Sequence, residues 1–102
     1  MAKTRVRSEL VKAANRGRVE RYLLSHPCVD CGETDLRVLE FDHRPGEVKS
    51  ADVGRLLVTG FSWTSIEREL AKCDVRCSNC HRIVTCERAN NWRNQASRRQ
   101  LG

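Results

Sequence analysis

Four of the six cysteines fall into two CxxC pairs, Cys28-x-x-Cys31 and Cys77-x-x-Cys80. Two residues between cysteines let both thiolates point at one tetrahedral ion, while backbone N–H groups of the turn donate to the sulfurs. Two such pairs make a closed four-thiolate Zn²⁺ site. Its binding free energy, on the order of 10 kcal/mol, doubles as folding free energy. The competing reading is unligated or redox thiols, but a redox CxxC ordinarily comes once, on a βαβ scaffold. The pairs are separated by 45 residues, more than in a simple zinc ribbon. The ion would therefore clamp two distant stretches and enclose the insert between them. Cys73 and Cys86 are left over and read as buried apolar residues or inert thiols. Cys73 competes as a ligand only outside CxxC spacing.

Asp42-His43 and His81 add a second kind of chemistry. The chain has three histidines, and two of them stand beside the predicted metal ligands. The zinc clamp would bring their segments together. Adjacent strand residues point to opposite faces, so Asp42 and His43 need a local bend to serve one site. The break at Arg44-Pro45-Gly46 makes a bend available. Taken singly, an Asp-His dipeptide is ordinarily a surface pair or a strand-end hydrogen bond, and a His after CxxC is sometimes an alternative zinc ligand. The order and combination point to a site. His26, before Pro27, reads as a turn residue.

These groups need elements to hold them. Residues 4–25 read as a helix from the three- and four-residue steps of Val6, Leu10, Val11, Ala14, Val19, Tyr22 and Leu23. His26-Pro27 stops it. Residues 28–32 form a tight knuckle. Residues 36–43, LRVLEFDH, alternate and read as a strand. A short helix over 50–58 ends near Gly60, and Ser62 is an N-cap for a second, WTSIERELAK, in which Thr64 and Glu67 have capping-box spacing. Residues 73–77, CDVRC, read as a second short strand. A helix begins near Ser78, and the last ten residues, without a core face, read as a frayed basic tail. Trp63 is expected to pack its helix on the core and Trp92 to cover the last helix.

With 102 residues the chain is one domain. Only 39% of residues are hydrophobic and 31% are charged, so the core is thin and a staple is needed. No apolar run approaches a membrane span, and the basic N-terminus lacks the apolar stretch of a secretory signal. The expectation is an intracellular, cytoplasmic protein with no membrane partner. The net charge is +6. Residues 1–25 carry seven Lys/Arg against two acids, residues 82–102 five against one, and residues 26–81 seven against ten. Two basic ends suit a polyanion and the acidic centre suits a cation. The expected phosphate contacts are Arg5, Arg7, Lys12, Arg16, Arg18, Arg44, Arg82, Arg88 and Arg93.

The stretch CVDCGETDLRVLEFDHRPGEVK followed by CDVRCSNCHRIVT resembles the HNH endonuclease family, over roughly residues 26–90. The resemblance implies an α+β class: a small zinc-stapled ββα-metal fold, with an N-terminal helix and a helical insert between the two strands. It divides the chain into a basic helix (1–25), a nuclease core (26–91) and a basic tail (92–102). It implies that His43 is the general base and that Asp42 and His81 hold one catalytic divalent ion. With one Asp and one His, Mg²⁺ or Mn²⁺ suits that site better than Zn²⁺. The implied activity is hydrolysis of DNA phosphodiester bonds with low sequence specificity, leaving 5′-phosphate and 3′-hydroxyl ends. Small freestanding members are phage-like and assist genome packaging or recombination. Two positions depart from the pattern. Lys72 stands where the family has an Asn that braces the loop between the strands, and Thr85 where some members have a further His. The alternatives are a catalytically inactive zinc-binding nucleic-acid-binding module and a structural zinc protein for protein contacts.

Overall fold

Helix α1 runs Ala2–Leu24, and the residues it buries, Asn15 and Val19, lie in its second half. The computed structural model describes the backbone of residues 2–101 and the side chains of residues 8–101. Val19, Tyr22 and Leu23 lie at three- and four-residue steps and turn inward. Asn15 is also buried, and its Nδ2 donates to the Phe61 carbonyl at 2.8 Å, which removes the cost of hiding an amide. Past the end of α1, His26 stacks on Tyr22 with ring centroids 3.9 Å apart and bonds its carbonyl. It is a turn residue, as expected.

The expected strand over 36–43 is shorter in the structure. Residues Leu36–Val38 make one 3₁₀ turn, and strand β1 is Leu39–His43. The Asp35 carboxylate accepts from the Arg37 backbone N–H at 3.0 Å, a local bond that competes with ladder pairing. The partner is also used up. Strand β2, Cys73–Cys77, pairs antiparallel with β1 in the register Leu39↔Cys77 to His43↔Cys73. Beyond Cys77 the chain turns into a helix and has no strand left to offer.

The insert between the strands is helical, as expected. Helix α2 is Val53–Thr59. Gly60 closes it at φ 75°, donating its N–H to the Leu56 and Leu57 carbonyls, a left-handed cap that a residue with a Cβ resists. Helix α3 is Trp63–Leu70. Its cap is the Ser62 hydroxyl, which accepts from the Ser65 N–H at 3.3 Å, so Thr64 and Glu67 lie within the helix rather than capping it. Val19, Val53, Leu56, Ile66 and Leu70 form the main core, with Trp63 packed against it. A second cluster joins Leu39 and Val75 to Cys28 and Cys77. Half of that second core is cysteine, so its packing depends on what holds the sulfurs.

Helix α4, Ser78–Ala89, buries no residue. Asn90 ends it at φ 46°. The tail is the main departure from expectation. Residues Trp92–Leu101 form helix α5 rather than a frayed end. The Asn91 side chain caps it, accepting from the Asn94 N–H at 3.0 Å. Trp92 does not cover α4. It is 68% exposed, with the Arg93 guanidinium 4.8 Å above its ring. Among the described residues these elements make a small α+β protein of five α-helices and one two-stranded sheet. No helix among them is long and apolar enough to cross a membrane.

Candidate functional site

The knuckle is tied to β2 before any ion is considered. Cys28 N–H donates to the Glu33 carbonyl, Gly32 N–H to the Cys28 carbonyl, and Val29 N–H to the Val75 carbonyl, each at 2.9 Å. These bonds bring Cys28 and Cys31 over Cys77 and Cys80, and the four Sγ atoms all lie within 4.8 Å of one another. Cys31 and Cys77 are 3.7 Å apart. Four thiolates about 2.3 Å from a tetrahedral Zn²⁺ sit about 3.8 Å from each other, so the cluster fits that ion. Burial opposes ionisation of Cys28, but backbone N–H groups of the knuckle and of Cys77 outweigh it and bring the thiol down to about 6. Cys80 is pushed up by the sulfurs around it. A divalent cation removes that mutual repulsion.

The two remaining cysteines differ in environment. Cys73 is buried and its Sγ donates to the Glu69 carbonyl. Burial, with Glu69 nearby, pushes its thiol up to about 11. Cys86 is half-buried on α4. In zinc-loaded protein, maleimide should therefore add once per chain, at Cys86, because labelling needs an accessible thiolate. Intact mass and peptide mapping check this. A label on any of the four clustered cysteines with zinc retained contradicts a closed site.

The two faces of the sheet do different work. Glu40 and Asp42 project toward α4, while Leu39, Phe41 and His43 project toward the core. Asp42 is 5% exposed. Its Oδ2 accepts from Arg76 at 2.6 Å and its Oδ1 from Arg88 at 2.9 Å. Burial opposes its charge, but these guanidiniums outweigh it and hold the carboxyl below the usual carboxylate range. His81 Nε2 stands 3.5 Å from the same Oδ1, and His81 Nδ1 pairs with Glu40 at 2.8 Å. With the ring proton on Nδ1 toward Glu40, the Nε2 lone pair would face Asp42. At a cation about 2.1 Å from both, the two donors would subtend about 110°, nearer a tetrahedral than an octahedral angle, so an octahedral ion would draw them closer together. A cation there would take one carboxylate oxygen and one imidazole nitrogen from this chain. Such an ion competes with Arg88 for Oδ1.

The bend expected at Asp42-His43 is absent, because β1 continues through His43. The sheet has only two strands, so one edge of β1 is unpaired, and residues of both faces reach it. Asp42, His43 and His81 line one cleft of about 320 Å³ together with Phe41, Lys49, Asp52, Val53 and Gly54. On the core side His43 Nε2 bonds Glu69 Oε2 at 2.8 Å. Glu69 Oε1 takes the Lys72 ammonium at 2.6 Å. Lys72 also donates to the Val48 carbonyl and the Ser50 hydroxyl, at 2.8 and 3.1 Å. Burial opposes ionisation of Glu69, but the bonds from Lys72 and His43 prevail and bring it down to about 2.

Glu69 and Glu40 were not singled out from the sequence, and each had a signal. Ile66, Glu69 and Leu70 share one helical stripe, so Glu69 is a charge on an apolar face. Glu40 precedes Asp42 by two and therefore shares its strand face.

The expected phosphate contacts divide into groups. The side chains of Arg5 and Arg7 lie outside the described residues. Lys12 pairs with Glu9, Arg18 lies over the Trp63 ring and Arg93 over Trp92. Arg16 and Arg82 are exposed. Arg44 is folded onto the Ala71 and Cys73 carbonyls and Asp74, and Arg88 is bound to Asp42. Those two are engaged within the protein. Comparison with protein-family models, curated proteins and solved structures returns no match.

Proposed function

We propose that this chain is a metal-dependent DNA endonuclease of the HNH type, on a zinc-stapled ββα-metal core. One observation carries the reading: Asp42, His43 and His81 border a single cleft, with Asp42 Oδ1 and His81 Nε2 3.5 Å apart. His43 is the general base and accepts a proton from the attacking water. Asp42 and His81 hold one Mg²⁺ or Mn²⁺, which when bound stabilises charge on the scissile phosphate and on the leaving 3′ oxygen. Arg16 and Arg18 on α1, Arg82 on α4 and Arg93 on α5 attract the phosphate backbone without reading bases, so sequence specificity is low. Lys72, in the position of the family Asn, supports a bracing role by other chemistry. Its ammonium ties the Val48 carbonyl and Ser50 to Glu69.

A second reading is a catalytically inactive zinc-binding nucleic-acid-binding module. The observation favouring it is that both oxygens of Asp42 are already paired with arginines. Nicking of supercoiled plasmid in EDTA, Mg²⁺, Mn²⁺ and Zn²⁺ separates the two. The endonuclease nicks in Mg²⁺ or Mn²⁺ and not in EDTA, and Asp42→Asn slows it by about 10²-fold or more. Salt-sensitive binding without cutting in any ion selects the inactive module. Absence of binding removes both and leaves a structural zinc protein.

A further inference from the structure

The buried carboxylate of Glu69 has no part in the chemistry described so far, yet it touches the group that does the most. Its side chain is 5% exposed. Burying a carboxylate is unfavourable unless both oxygens find donors. Lys72 satisfies Oε1, and Oε2 is bonded to His43 Nε2. A carboxylate oxygen can only accept. The proton of a neutral His43 is therefore on Nε2, and the lone pair on Nδ1.

We propose that Glu69 is a positioning residue for His43: it fixes the Nε2–H tautomer and the ring orientation, so that Nδ1 is the atom that receives the proton of the attacking water. The assignment rests on His43 acting as the base in the proposed endonuclease. Lys72 holds the other end of this device. Bonded to Glu69, the Val48 carbonyl and Ser50, it keeps the carboxylate from rotating away. The chain of contacts runs from the loop after β1, through Lys72 and Glu69, to the imidazole. A His oriented through one nitrogen by a carboxylate is a recurrent way to set which nitrogen reacts.

The test uses the isosteric Glu69→Gln in the zinc-loaded full chain. Lys72 has no lone pair to offer, so the amide turns its oxygen to Lys72 and its NH₂ to His43. The NH₂ is a donor and demands a lone pair on Nε2, which moves the proton to Nδ1. In ¹⁵N NMR of His43, the wild type should give a protonated Nε2 and an unprotonated Nδ1, and Glu69→Gln the reverse. The kcat for plasmid nicking, in whichever of Mg²⁺ or Mn²⁺ supports wild-type activity, should fall about 10²–10³-fold. KM should stay within about threefold, because the proton transfer and not DNA binding is affected. A wild-type His43 carrying its proton on Nδ1 overturns the proposal, and so does a Glu69→Gln kcat within threefold of wild type. If Glu69→Gln loses zinc or its thermal transition, the wild-type tautomer alone decides. His43→Ala separates the two layers. Wild-type protein that cuts in no ion removes the endonuclease assignment; nicking that survives His43→Ala removes His43 as the base and the role of Glu69 with it, whereas an inactive His43→Ala beside a fully active Glu69→Gln removes only the role of Glu69.

Discussion

If the chain is the endonuclease proposed above, His43→Ala should lower the rate of metal-dependent plasmid nicking by about 10³-fold and leave DNA affinity within about twofold. The expected size follows from the contribution of a positioned general base, typically 10²–10⁴-fold. Alanine supplies no proton acceptor, and water in the cleft replaces it poorly. Binding is expected to survive because it comes from other groups. The imidazole is largely enclosed, with 15% of its side chain exposed, and the arginines of α1, α4 and α5 lie on the protein surface. Single-turnover nicking and fluorescence anisotropy with a labelled duplex, at one fixed salt concentration, measure the two quantities separately. Equal loss of both would mean that His43 holds the fold rather than the proton. Its bond to Glu69 makes that outcome a real contest, since the variant leaves one buried carboxylate oxygen without its donor. Zinc content and the thermal transition, measured on the same sample, identify it.

Removing zinc is the other large effect. Cys28→Ser, or wild-type protein held with a strong chelator, should lose the cooperative thermal transition and most of the near-ultraviolet circular dichroism. The cluster is not an ornament on an independently stable domain. Cys28 and Cys77 make up half of the second core, beside Leu39 and Val75, and Cys77 caps the helix that carries His81, with Cys80 in its first turn. Helix α4 buries no residue, so the polar pairs His81–Glu40 and Arg88–Asp42, with a metal on Cys77 and Cys80 when one is bound, would dock it on the sheet. A site worth on the order of 10 kcal/mol is comparable with the whole stability of a small domain. Wild-type protein should carry one zinc per chain by native mass spectrometry and the variant none. A zinc-free Cys28→Ser with an unchanged melting temperature would falsify the clamp.

These two expectations stand on different kinds of information. The four-cysteine cluster was legible because CxxC spacing is local: two residues decide whether two sulfurs can meet one ion. Strand β2 was legible for a similar reason, since CDVRC is confined between a helix stop and a helix start. The caps at Ser62 and Gly60 are also written in one or two residues. Three features were not legible. Helix α5 forms although its sequence has no core face, because the Asn91 side chain caps it. The start of β1 is set by where β2 ends, which no window around Leu36 contains. The Asp42-His43 bend was inferred from strand alternation; the alternation holds through His43 without a bend, and both residues still line one cleft.

The sequence by itself determined which residue types are available: four thiols at ligand spacing, an acid-histidine pair ending a strand, a histidine opening a helix, and basic ends around an acidic centre. It also determined the helix and strand order, because capping, chain stops and side-chain alternation act over a few residues. Only the tertiary structure decided that Glu69 and Lys72 stand behind His43, that Arg76 and Arg88 hold Asp42, and that both sheet faces open on one cleft. Those contacts join residues 26 to 46 positions apart. They depend on strand register and helix rotation: a shift of one residue would turn a strand's side chains to the opposite face and a helix's by about 100°.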